Sequence, residues 1–174
     1  DYDINNMVNQ SGLSSNYVSG VTEFESYIVA TTADGDESVD IVSFWQRVMH
    51  VVIDFDLGGT ENVESLALWN RGNYAQGVRD FSLYASNDAS FASSSLLGSF
   101  TATAELGNFA FTQAEVFPFA RTSAQFIRME VFSYYGVCCV SLNEVAFEVD
   151  AAAGVPAPAT LALFVLGLTG LGWT

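Results

Sequence analysis

The chain has 174 residues, with twenty acids against five bases and a formal charge of -15 at pH 7. So acidic a surface repels nucleic acid and anionic membrane, and neither is expected as a partner of the folded part. It suits a secreted chain or one that holds calcium, and it also keeps an apolar-rich chain in solution. The length allows one domain with a real core plus a tail, and fourteen Phe, seven Tyr and three Trp fit a β-sandwich core.

The chain opens at Asp1 without a Met or a charged-then-apolar leader, as expected where a signal peptide has been removed or the sequence is a fragment. Residues 1–22 are rich in Asn, Ser and Gly and predict irregular structure. Tyr27, Ile28, Val29 and Ala30 predict a first strand. Residues 33–40, ADGDESVD, are the densest acidic cluster. Calcium takes roughly six to eight oxygens, which closely spaced carboxylates such as Asp34 and Asp36 supply on a turn; a solvated acidic turn is the other reading. The spacing is not that of an EF-hand, because Trp45 stands where the twelfth-position Glu belongs.

Residues 51–88 carry the strongest pattern. Val51, Ile53, Phe55 and Leu57 alternate with Val52, Asp54 and Asp56, which predicts a half-buried strand. Gly58-Gly59 predicts a turn, residues 63–69 a second strand ending in Trp69-Asn70, and residues 78–85 a third. With no helical period between them, an antiparallel all-β domain is expected. Asp54 and Asp56 share a strand face, but neighbours on one strand cannot flank a bond from opposite sides as glycosidase acids do, so a structural role is expected. His50 is the only histidine; it excludes a multi-histidine metal site and leaves a single imidazole base.

The loop at residues 70–76, NRGNYAQ, gathers Asn70, Arg71, Asn73, Tyr74 and Gln76. Sugar sites pair a flat aromatic with planar donors and acceptors that bridge hydroxyls, and this loop holds both; the same residues are also common on plain surface loops. Further on, Ser86-Asn87-Asp88 opens a turn, and residues 97–103 and 109–111 predict strands. Phe117-Pro118-Phe119 marks a break, with Pro118 excluded from a central ladder. Residues 125–131 alternate again, with Arg128 and Glu130 on the polar face, placed to pair with each other. Tyr134 and Tyr135 follow on a loop that forms a second ligand platform. Cys138-Cys139 are too close in sequence to staple distant strands; a ring disulfide, a bond to another chain and burial as small apolar groups all remain open. Residues 141–149 predict the closing strand.

The run IDFDLGG, VESLALWNR, GVRDFSLYASND and, later, AQFIRMEV and SLNEVAFEV resembles the discoidin / coagulation-factor C-type domain of the galactose-binding-like superfamily over roughly residues 10–149. That resemblance implies an all-β jelly-roll β-sandwich over residues 1–150, with sugar bound by loops at one end of the roll. It also implies a calcium loop with an Asp-Gly before a Trp and a Glu near the end of the domain, which Asp34-Gly35, Trp45 and Glu144 match.

After Asp150 the composition changes. Residues 151–158 read as a linker carrying Val155, Pro156, Ala157 and Pro158, and residues 159–174 as an apolar helix. This stretch resembles the PEP-CTERM sorting signal of bacteria. The resemblance implies an exosortase-type enzyme acting near the Pro motif while a transmembrane helix holds the precursor in the inner membrane. Ala157 replaces the usual Glu, no Arg cluster follows, and the apolar run is at the short limit for a span; a sequence cut short here accounts for the last two.

The expectation is an exported bacterial protein, anchored in the inner membrane as a precursor and then at the cell surface or outside, whose sandwich binds extracellular polysaccharide without catalysis. The ligand residues would be Arg71, Asn73, Tyr74, Tyr134 and Tyr135, the metal residues Asp34, Asp36 and Glu144 with calcium, and the sorting residues Val155, Pro156 and Pro158. The polysaccharide comes from the two resemblances, since the residues themselves show only a suitable loop. The alternative is a structural or adhesive matrix protein with no defined sugar site. An enzyme is not expected, with one His and no nucleophile motif.

Overall fold

The computed structural model describes residues 7–18, 21–34, 43–46, 50–71, 76–103, 111–136 and 139–149. Among these residues lie one helix, α1 (Phe24–Ala30), and eight strands: β1 (Thr32–Ala33), β2 (Ser43–Gln46), β3 (Val51–Asn70), β4 (Asp80–Ser86), β5 (Ser95–Thr101), β6 (Thr112–Gln113), β7 (Glu115–Val131) and β8 (Cys139–Val149). Six of them form one antiparallel sheet in the order β2-β8-β3-β7-β4-β5, and β1 pairs with β6.

The sheet folds back on itself because β3 and β7 are long and bulged. The first part of β3 pairs with the last part of β7, from Val51 opposite Val131 to Asp56 opposite Phe126. After a register shift between Asp56 and Glu61, the rest of β3 pairs with the first part of β7 and with β8. Two leaves result, β5-β4-β7-β3 and β7-β3-β8-β2, each sharing the long strands. Gly58-Gly59 therefore does not reverse the chain as expected. Gly58 adopts φ 79°, open to glycine at no steric cost, and its N–H is taken by the Asp56 carboxylate at 2.9 Å, so the bulge bends the strand and the ladder resumes.

The alternation read from the sequence does position the core. Val51, Ile53 and Phe55 are buried, as are Phe81, Leu83 and Ala85 of β4 and Ile127, Met129 and Val131 of β7. They pack with Leu66, Leu68, Leu142 and Val145 of the other leaf. Phe81 and Phe117 meet edge to face at 5.0 Å, with Phe100 beside both.

The outer face of the second leaf is also covered, by an element the sequence reading places wrongly. The strand expected at residues 27–30 is part of α1. Glu23 caps it by accepting from the Ser26 N–H at 3.1 Å, and Phe24, Tyr27 and Ile28, spaced i, i+3, i+4, make its buried face. They pack on Ala67 and Trp69 of β3, and the Trp69 indole N–H donates to the Thr31 carbonyl at 3.0 Å. Burial on both faces is why β3 ends in six consecutive buried residues.

Two other expectations need correction. β7 runs straight through Pro118, which pairs with Ser65. The strand tolerates it because this part of β7 has only β3 beside it, and the missing N–H falls on the open edge. Arg128 does not pair with Glu130. It grips Asp54 across the strand pair at 2.7 and 2.8 Å, with its guanidinium 4.1 Å from the Phe91 ring centre.

Candidate functional site

Three chain segments are laced together at one end of the first leaf. Asn70 ends β3, and its side chain does the work of a neighbouring strand. Its amide donates to the Val78 carbonyl at 2.8 Å, and its Oδ1 accepts from the Val78 N–H at 2.9 Å and the Arg71 N–H at 3.0 Å. This closes the base of the loop between β3 and β4. The chain that leaves the loop is then tied to the segment after β7 by Tyr135 N–H to Gly77 carbonyl (2.8 Å), Arg79 N–H to Ser133 carbonyl (3.0 Å) and Phe132 N–H to Asp80 carbonyl (2.8 Å). The segment after β5 joins through Ala102 N–H to the Arg79 carbonyl at 2.8 Å, and through the Tyr135 hydroxyl, which donates to the Ala102 carbonyl at 2.8 Å.

The surface of this rim is aromatic and polar. Arg79, with a side chain 53% exposed, reaches over the Tyr135 ring at 5.8 Å from its centre and lies 3.7 Å from the Asp80 carboxylate. Asp80 accepts hydroxyl hydrogens from Ser133 and from Thr101, the latter at 2.8 Å. Those hydroxyls, Ser133 first, hold its carboxyl below the ordinary range and keep it ionised. Tyr134 is half-buried against the core.

Of the ligand residues expected from the sequence, Tyr134 and Tyr135 lie on this rim, and Asn73 and Tyr74 lie outside the described residues. Arg71, at the base of the loop, is only 1% exposed, and the exposed guanidinium of the rim belongs to Arg79. Arg79, Asp80 and Thr101 were not singled out in the sequence. Asp80 and Ser82 at the polar positions of an otherwise apolar strand were the available signal.

A second set of expected residues lies on the opposite leaf. Glu144 sits across from Trp69, under the N-terminal segment, and is 2% exposed. Burial pushes its carboxyl up to about 8, against the pull of the Gln10 N–H, which donates to it at 3.0 Å. The nearby Tyr27 hydroxyl is raised to about 12, first by its own burial and then by the charge of Glu144. The same N-terminal turn holds Asp34, whose N–H donates to the Gly12 carbonyl at 3.1 Å. Asp36 lies outside the described residues, and among those described no three His, Cys, Asp or Glu side chains converge as a metal cage. Asp54 and Asp56 are engaged structurally, by Arg128 and by Gly58 N–H respectively. The sorting residues Val155, Pro156 and Pro158 and the expected transmembrane helix at 159–174 fall outside the described residues; among those described, no helix is long and apolar enough to cross a membrane.

No protein-family profile matches the chain, and no curated protein matches it. Among solved structures it is similar to CBM32-3 from a family 31 glycoside hydrolase of Clostridium perfringens, at 19% identity over 80% of this chain and 92% of that one, with a TM-score of 0.53. It is also similar to CpGH89CBM32-5 of the same organism, solved with GalNAc-β-1,3-galactose, at 15% identity over 60% and 74% of the two chains and a TM-score of 0.48. A third similar structure is the C-terminal domain of a chitobiase from Bacteroides fragilis, at 16% identity over 62% and 72%, with a TM-score of 0.49. The first of these carries the fold: an all-β sandwich resembling that of CBM32-3.

Proposed function

We propose that this domain is a non-catalytic carbohydrate-binding module that holds extracellular polysaccharide at the rim built by Arg79, Asp80, Tyr134 and Tyr135, with Asn73 and Tyr74 of the adjoining loop. The observation that carries this is the exposed Arg79 guanidinium over the Tyr135 ring, beside an ionised carboxylate. An aromatic face with planar donors and acceptors around it is the chemistry that recognises a pyranose. The non-catalytic reading is supported by Asp54 and Asp56, the pair of neighbouring acids, both being committed to structural bonds. Binding of the full chain to a polysaccharide panel tests it, and a folded protein that binds none of them overturns it in favour of a structural or adhesive role.

In the same reading Asp34, Asp36 and Glu144 would hold a calcium ion. The buried Glu144 fits such a role, since a divalent cation would supply the positive charge that its ionised form lacks. Residues 151–174 would act as an exosortase-type sorting segment, anchoring the precursor in the inner membrane before release to the cell surface; the Val155-Pro156-Ala157-Pro158 motif followed by an apolar run supports this.

A further inference from the structure

The outer face of the leaf formed by β5, β4, β7 and the first part of β3 is polar, and it is furrowed where it meets the rim. A groove of about 250 Å³ is lined by Asp80, Ser82, Ser99, Thr101 and Phe132. Its floor is two successive cross-strand pairs on one face of the ladder. Asp80 lies opposite Thr101, with their side chains hydrogen-bonded, and Ser82 opposite Ser99, with hydroxyls 2.8 Å apart. Ser82 is in turn opposite Glu130, so the polar row continues onto β7 and ends there, with the exposed Val52 of β3 beyond it.

One wall is aromatic. Phe132 leaves the end of β7 with 46% of its surface exposed, an unusual place for a large apolar ring on so polar a face. His50 stacks on it, ring centres 5.3 Å apart and 9° from parallel, and the imidazole lies 3.7 Å from the Glu130 carboxylate. The stack and the His50–Glu130 contact restrain the phenyl ring.

We infer that this groove is a second carbohydrate subsite, binding an uncharged pyranose of the same glycan chain that the rim holds, with the sugar's apolar face on Phe132 and its hydroxyls on Asp80, Ser99 and Thr101. The inference rests on the reading of the rim as a polysaccharide site. Each Asp80 oxygen already accepts one hydroxyl and has a lone pair for another; the exposed Thr101 hydroxyl, its hydrogen given to Asp80, still accepts, and the exposed Ser99 hydroxyl accepts, or donates when Ser82 is the donor of their pair. A volume near the lower end of small-molecule pockets, about 300 Å³, suits a single ring. A sheet face gives these groups fixed spacing, which loops do not. The charge selects the class of sugar: Asp80 in the groove and Glu130 on the neighbouring strand opposite Ser82, on a chain of net charge -15, repel a uronate and leave a neutral sugar unopposed. The groove also adjoins the rim, since Asp80 is hydrogen-bonded to Ser133 and borders Arg79, so one oligosaccharide can span both.

The test uses the full chain and a panel of neutral mono- and tetrasaccharides (galactan-, mannan- and glucan-derived) with tetragalacturonate as the charged control, read by calorimetry. Phe132→Ala removes the wall, and Ser99→Trp fills the groove from an exposed position that does not threaten the core; circular dichroism checks both folds. Each is expected to weaken the neutral tetrasaccharide roughly tenfold while leaving monosaccharide binding unchanged, whereas Arg79→Ala weakens both ligands. Tetrasaccharide binding that survives Phe132→Ala and Ser99→Trp but falls with Arg79→Ala overturns the face subsite and leaves the rim standing. Preference for tetragalacturonate overturns the assigned sugar class. Absence of any binding to the unaltered chain overturns the rim and, with it, the subsite.

Discussion

The backbone N–H of Gln10 donates to the Glu144 carboxylate at 3.0 Å, joining the N-terminal segment to the last strand across 134 residues of sequence. This single contact places an acid, buried beside Trp69 and Tyr27, under a cover that comes from the other end of the chain.

Glu144 makes stability depend on pH in an unusual direction. Its carboxyl, raised from 4.5 to about 8, keeps a proton in the folded state that the unfolded chain has lost. The folded form then binds more protons between those values, so stability falls as pH rises through that window and levels off above it. In chelator-treated protein, urea midpoints are expected to decline from pH 5 to pH 8. Glu144→Gln should flatten the decline and recover on the order of a few kcal/mol at pH 8. A midpoint that rises over this range in the unaltered protein contradicts the assignment.

Calcium should reverse that trend. An ion held by Asp34 and Glu144 favours the ionised carboxylate, so adding calcium is expected to raise the melting temperature more at pH 8 than at pH 5. The stabilisation should approach about 2.7 kcal/mol at a hundredfold excess over the dissociation constant. Chelation should abolish it, as should Asp34→Asn or Glu144→Gln. Equal melting curves with and without calcium at pH 8 exclude the ion.

Asn70 is the keystone of the loop base. Asn70→Asp keeps the shape but loses the amide that donates to the Val78 carbonyl, and sets a carboxylate beside that oxygen in a buried place. A loss of about 2–3 kcal/mol is expected, with weaker glycan binding in step, because Val78 leads directly into Arg79 and Asp80. Equilibrium unfolding and calorimetry on the one variant check both, and an unchanged unfolding midpoint contradicts the bracket.

How far these features were legible in the sequence depended on how local their causes are. The inward rows Val51-Ile53-Phe55 and Ile127-Met129-Val131 read directly, because a strand with one face on the core writes its burial in period two. α1 was misread because seven residues containing Ile28 and Val29 look β-prone. The decisive sign was the i, i+3, i+4 spacing of Phe24, Tyr27 and Ile28, and its meaning depends on Trp69, forty residues on. Gly58-Gly59 and Pro118 carry turn and breaker chemistry, yet a bulge in one case and an open strand edge in the other let the ladder continue. Of the expected ligand residues, Tyr134 and Tyr135 lie together on the rim, because they are adjacent in one loop. That Arg71 is buried and Arg79 exposed was not legible, because arginine is seldom buried at all and nothing in the residue type marks the exception.

The measurement that bears most directly on the rim as a polysaccharide site is the affinity of the full chain for a neutral polysaccharide selected from a panel, compared among the unaltered protein, Arg79→Ala and Tyr135→Ala. Measurable binding is expected, weakened by each substitution at least about tenfold, a loss of roughly 1.4 kcal/mol, with folds intact by circular dichroism. Binding that is undiminished in both variants, or absent from the folded unaltered chain, contradicts the rim site.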